Sequence, residues 1–222
     1  PSTGTINSYG TIDLADGTVT PVDGGGNHLT YTVIDPTPPA PPAPNAVNLS
    51  STTHPSQDSW YNLSGVTLNW NKQDGVEGFS YALDMSGDTN PDDQIDGSEV
   101  TFTNESLTEG RSYFHIKAKN SVGFGPVTHY AINYDKTSPD PFGIAKIETE
   151  NEEKIILYFA TNDTLSGVSH FTAKLDDKDP VTVTTGLEVD KSVYKVYITA
   201  FDKAGNTQTG EIIITEPISI PV

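Results

Sequence analysis

Cysteine is absent from this 222-residue chain and methionine occurs once. The absence excludes disulfides, thiolate metal centres and cysteine nucleophiles, and leaves stability to side-chain packing. Basic residues are scarce: 12 Lys and Arg stand against 30 Asp and Glu, a formal net charge of -18. Such a surface repels phosphate backbones and anionic lipid headgroups, so neither nucleic acid nor a membrane surface is an expected partner, whereas divalent cations are attracted. Long apolar runs are missing too. None approaches the roughly 18 residues of a membrane helix, so no membrane insertion is expected. Pro1-Ser2-Thr3 carries no charged-then-apolar signal pattern, and the chain reads as a mature product or a fragment.

The usual catalytic patterns are also lacking. His28, His54, His115, His129 and His170 are scattered without HxH or HExxH spacing. No Ser lies in a GxSxG elbow, and no Gly-rich phosphate loop precedes a helix. None of the thirty acids sits in an aromatic, cleft-forming context that would raise its pKa for general acid work. A non-catalytic protein is expected, with no cofactor other than a possible calcium ion.

What is present is β-rich. Residues 1–35 read as a short meander: Thr11 to Leu14, Thr18 to Val22 and His28 to Ile34, separated by Asp16-Gly17 and Gly24-Gly25-Gly26 turns. Some 35 residues bury too little apolar surface to fold alone, so this segment is expected to complete its sheets against neighbouring polypeptide or another chain. Residues 36–46 form a Pro-rich linker, stiff because each Pro fixes φ and pushes its predecessor towards extended backbone. From Asn45 onward short strands alternate with Gly, Asn, Asp and Pro clusters. They include Val66 to Trp70, Gly78 to Leu83, Val100 to Phe102, Tyr113 to Lys119 and Val127 to Tyr134. A second set comprises Lys154 to Ala160, Gly167 to Leu175, Val181 to Val183, Ser192 to Ala200 and Glu211 to Thr215. No stretch keeps a helical period over three turns, so the class is all-β.

An internal repeat divides this region. Gly75-Val76, Phe79 and Leu83-Asp84 recur as Gly167-Val168, Phe171 and Leu175-Asp176, and Ile116, Ala118, Asn120 and Gly123 recur as Ile198, Ala200, Asp202 and Gly205. Two tandem β-sandwiches are expected, over 47–136 and 137–222, joined by the Pro-containing stretch Asp135 to Pro141.

From Val47 to the end these residues resemble bacterial cell-surface immunoglobulin-like and fibronectin type III-like tandem repeats. Leu107-Thr108-Glu109-Gly110 before Tyr113 to Asn120, and Gly123-Phe124-Gly125 after it, look like that family's E–F corner, F strand and F–G turn. Tyr194 to Ala200 followed by Phe201-Asp202-Lys203-Ala204-Gly205-Asn206 is similar. The resemblance implies a core tryptophan on strand B, at Trp70, and a tyrosine corner at Tyr194, with Ser112 in the equivalent place of the first domain. It also implies an extracellular or cell-surface location. Phe114, Ile116 and Ala118 alternate onto one face, as do Val196, Ile198 and Ala200, which fits a strand with one buried side.

One segment has metal-ligand spacing. Asp84, Asp88 and Asp92, with Asp96 beyond, place oxygen ligands at intervals along an acidic loop, as calcium loops do, although Thr89 stands where the loop's Gly belongs and Ile95 where its bidentate Glu belongs. The same acids equally serve turns. Trp60, Tyr61, Tyr81 and Phe124 could stack on sugar rings or pack a core. The expected function is a structural or adhesive module of a surface protein or filament, a spacer or subunit pairing with other chains or copies of itself through strand edges. The alternative is a glycan- or protein-binding accessory module of a secreted enzyme.

Overall fold

The computed structural model describes residues 18–19, 31–32, 40–150 and 153–215, and every regular element among them is a β-strand. The chain divides into two compact bodies, 1–42 and 43–222. In the first, β1 (Thr18–Val19) runs antiparallel to β2 (Tyr31–Thr32), with Thr18 opposite Thr32 and Val19 opposite Tyr31. Thr11 to Leu14, the Gly24-Gly25-Gly26 turn and most of the expected meander lie outside the described residues.

The second body holds two hydrophobic cores, each between a pair of sheets. In the first sandwich, β3 (Leu49–Ser51), β5 (Val66–Trp70) and β7 (Thr101–Asn104) form one sheet in that order. The facing sheet runs β4 (Trp60–Tyr61), β9 (Thr128–Tyr134), β8 (Gly110–Lys119), β6 (Gly78–Asp84). All pairings are antiparallel except β4 with β9. Strict alternation supplies the core: Val66, Leu68 and Trp70 from one sheet meet Phe114, Ile116 and Ala118 from the other. Trp70 stands edge-on to Phe79, centroids 5.5 Å apart, and lies 6.0 Å from Phe114. As the sequence resemblance implies, it is a buried strand-B tryptophan. The single methionine, Met85, lies just after β6 and is 67% exposed.

In the second sandwich, β10 (Ile144–Glu148), β11 (Lys154–Phe159) and β14 (Leu187–Asp190) form the three-stranded sheet. The four-stranded sheet runs β13 (Val181–Val183), β12 (Val168–Leu175), β15 (Lys195–Asp202), β16 (Thr207–Ile213). Ile155 and Leu157 pack against Ala173, Val196 and Ile198. Both domains therefore have the same plan, an A-B-E sheet facing one built on C, F and G, which is the topology of tandem fibronectin type III-like sandwiches.

The sequence repeat maps onto matching strands, β6 on β12 and β8 on β15. Gly75 and Gly167 share a left-handed backbone, φ 77° and 78°, at the turn entering strand C, where a side chain would be strained. At the F–G turn, Asn120 Oδ1 accepts from the N–H of Val122 and Gly123, while Asp202 Oδ1 accepts from that of Asn206. One amide and one carboxylate thus do the same local work.

The tyrosine corner needs correction. Tyr194 is 43% exposed and Val193 is the buried neighbour. The tight turn Asp190 to Val193 breaks the strand alternation, and the N–H groups of Tyr194 and Lys195 both donate to Asp176 Oδ1, which turns the tyrosine ring outward. In the first sandwich the hydroxyl of Tyr130, on β9, donates to the His54 carbonyl at 2.7 Å, a bond to distant backbone.

Candidate functional site

The acidic loop after β6 folds back along that strand. Its carboxylates are engaged one by one. Asp84 accepts from the Ser86 N–H at 2.8 Å and lies 3.3 Å from His115 Nε2; the Thr89 hydroxyl, then the Ser86 N–H, hold its carboxyl below the usual range. Asp88 accepts from the Ser86 hydroxyl, Asp92 from the Gln94 N–H, and Asp96 from the Tyr81 N–H at 2.7 Å. Lys117, whose side chain is buried, donates to Asp93 at 2.7 Å and to Asn90 at 3.1 Å. These contacts, with the Phe79–Gly97 bridge, tie the loop over the edge of β6. Asp84, Asp88, Asp92 and Asp96 do not converge into one ligand set; among the described residues the carboxylates that do converge lie elsewhere.

That convergence is at the junction between the sandwiches. Asp135 follows the last residue of β9, Asp163 lies in the loop between β11 and β12, and Asp202 ends β15. One carboxylate oxygen from each lies within 4.8 Å of the others. Asp135 is fully buried, Asp202 nearly so, and Asp163 partly so. Asp135 crosses between domains: its Oδ1 accepts from the Thr137 N–H, its Oδ2 from the Ser166 N–H at 3.0 Å, and its carbonyl from Asn206 Nδ2 at 2.9 Å. Asp163 Oδ1 accepts from the Gly167 N–H at 2.7 Å, and Asp202 Oδ2 from Asn206 Nδ2 at 2.7 Å. Each carboxylate is thereby aimed by backbone or amide donors.

Two features of this cluster are separate. The first is spacing: ligand atoms about 2.4 Å from a calcium ion lie no more than roughly 4.8 Å apart, and the three oxygens fall within that limit of one another. The second is charge. No Lys, Arg or His forms an ion pair with any of the three acids among the described residues. Buried charges in proteins are paired or coordinate metals, and three unpaired carboxylates at one point repel each other strongly. An all-oxygen donor set suits a hard cation such as calcium. Sequence spacing could not find the set because its members come from three separate connections. The only hint was the placing of Asp135 in the linker and Asp202 at the F–G repeat position.

The linker itself is held from both sides. Glu109, at the corner before β8, accepts from the Lys136 N–H at 2.8 Å and the Thr137 hydroxyl at 2.9 Å, and these contacts hold its carboxyl below the usual range. From the other side, the Asp140 N–H donates to the Asn162 carbonyl and the Thr161 hydroxyl donates to the Asp140 carbonyl.

The four candidate aromatic residues do not form one platform. Tyr81 packs on Phe102 and Phe114, Tyr61 meets His54 edge-on, Phe124 lies beneath the Lys117 ammonium, and Trp60 sits on β4. Of the scattered histidines, His115 and His129 come together across β8 and β9.

No family model and no curated protein matches this sequence. Among solved structures, a segment of two fibronectin type III domains from chicken tenascin is 11% identical, with 75% of this chain and 97% of that one covered at a TM-score of 0.39. The first three fibronectin domains of chicken CNTN1 are 14% identical, covering 88% of this chain and 76% of that one at a TM-score of 0.34. The chain is thus similar to tandem fibronectin type III segments, while its own strand pairing carries the assignment of two sandwiches in succession.

Proposed function

We propose that this chain is a non-catalytic structural or adhesive module of an extracellular surface protein or filament, whose two sandwiches are fixed in succession by a divalent cation, calcium foremost, at Asp135, Asp163 and Asp202. The observation that carries the reading is the junction: three carboxylates from both domains converge without a cationic partner, on a linker hydrogen-bonded at both ends. A cation there joins the end of one domain to two loops of the next and restricts bending between them. A chain whose task is to hold something at a distance gains reach from such a joint.

Assembly with other chains would use strand edges left open. The start of the β6 edge is not one, since Gly97 and Asp96 occupy the Phe79 and Tyr81 N–H groups. Short β13, with Val181 exposed, is one.

Calcium titration followed by calorimetry and small-angle scattering tests the reading. Wild-type protein should bind one ion and become more extended and less variable in shape, and Asp163→Asn should weaken binding at least tenfold. Absence of heat at millimolar calcium, or an unchanged titration in Asp163→Asn, would overturn the junction assignment.

A further inference from the structure

The first sandwich carries a second group of ligating atoms, with different chemistry. Register places His115 on β8 directly opposite His129 on β9. Their Nδ1 atoms are 2.6 Å apart, with ring planes inclined at 74°. His115 is fully buried, its ring stacked beside Tyr113, whereas His129 is exposed. His115 Nε2 points to Asp84 Oδ1 at 3.3 Å.

The protons follow from these contacts. Two ring nitrogens this close cannot both carry hydrogen, nor can both present bare lone pairs, so one proton lies between them. Asp84 accepts from His115 Nε2–H, which leaves His115 Nδ1 as the lone pair. His129 Nδ1–H is then the donor, and its Nε2 is the free lone pair. The shared proton occupies the point at which two nitrogen lone pairs can be aimed together.

We infer that His115 Nδ1 and His129 Nδ1 form a binding site for a divalent transition ion that prefers imidazole. On binding, the His129 proton moves from Nδ1 to Nε2, so no net proton is released. Zinc–nitrogen bonds of about 2.0–2.1 Å at a tetrahedral angle need the two nitrogens about 3.3 Å apart, an opening that the exposed His129 ring can supply by rotation. His115 stays in place because Asp84 holds its far nitrogen, the arrangement in which a carboxylate orients a metal-bound histidine. Water completes the coordination. Copper(II) binds tightest, nickel and zinc less tightly, and calcium and magnesium, which take oxygen donors, do not bind.

The test uses the untagged 222-residue chain, with zinc or nickel chloride added alone, followed by calorimetry and by imidazole nitrogen NMR. One equivalent should bind and shift the ring nitrogens of both histidines. His129→Ala, at an exposed position, should still fold with a single cooperative melt and weaken binding more than tenfold, while Asp163→Asn leaves this site unchanged. Asp84 is a positioning residue: Asp84→Asn should weaken binding by about 10- to 100-fold and alter the His115 tautomer seen by NMR in metal-free protein. Wild-type protein that takes up no ion, His129→Ala that titrates like wild type, or histidine signals unmoved by metal would each overturn the inference.

Discussion

Trp70 Nε1 and His54 Nε2 are buried in the first sandwich without a well-formed hydrogen bond, although the Leu63 backbone lies near enough to His54 to act on its charge. Trp70 is tolerated because its ring fills the space between Phe79 and Phe114. Trp70→Ala should therefore destabilise the first sandwich by about 3–5 kcal/mol, read by denaturant unfolding of that domain. His54 gives a pH dependence. Burial pushes its pKa below 6.5, partly offset by the Leu63 backbone. The unfolded chain then takes up the proton first, so this contribution to stability is present above about pH 6.5 and is lost as pH falls through the folded value. Melting midpoints should fall less steeply between about pH 7 and pH 5 in His54→Leu than in wild type; equal slopes would show that His54 does not couple to folding. At this scale the sequence was readable where one residue's neighbours decide its role. The triplets Phe114-Ile116-Ala118 and Val196-Ile198-Ala200 were legible from alternation and Trp70 from the family resemblance, and all are buried. Tyr194 was not, because a turn four residues long reset its direction.

Among the elements, the strands that sequence bounded with the clearest pattern have one buried face, such as β5, β8, β11 and β15. Those it missed have weak patterns for physical reasons. β10 presents four exposed residues out of five, including Ile147, since it pairs only with β11 at a sheet edge. β4 is two residues long and exists because the chain passes alongside β9. The acidic loop shows the same limit. Its calcium-like spacing is real, but Lys117, His115 and the Tyr81 N–H, which engage its acids, come from β8 and β6. Gly78 tests how tightly that loop is seated: an added methyl would lie 2.5 Å from Ile95 Cγ2 and 2.8 Å from the Gly97 carbonyl oxygen. Gly78→Ala should cost about 1–3 kcal/mol and speed amide exchange at Asp96 and Gly97. Unchanged exchange there would mean that the loop has room to retreat.

For the molecule as a whole, the proposed junction has its own consequence, that loosening it should free the two sandwiches to bend against each other. Asn206 is its small keystone: one side-chain nitrogen reaches the Asp135 carbonyl, the Thr137 carbonyl and Asp202 Oδ2. Asn206→Ala should leave each sandwich's unfolding free energy within about 1 kcal/mol of wild type yet widen the distribution of interdomain angles measured by residual dipolar couplings. A variant as rigid as wild type would place the restraint elsewhere in the linker. Chelator applied to calcium-loaded wild type should reproduce the same loosening. Met85 has a different consequence. It holds the only sulfur in the chain, and it stands in solvent rather than in either core. Peroxide can therefore convert one side chain to its sulfoxide, adding a single oxygen atom, without introducing a polar group among packed residues. A chain built this way has no thiol to crosslink and no buried thioether to spoil, so peroxide that oxidises its one thioether should leave both sandwiches with their wild-type melting midpoints.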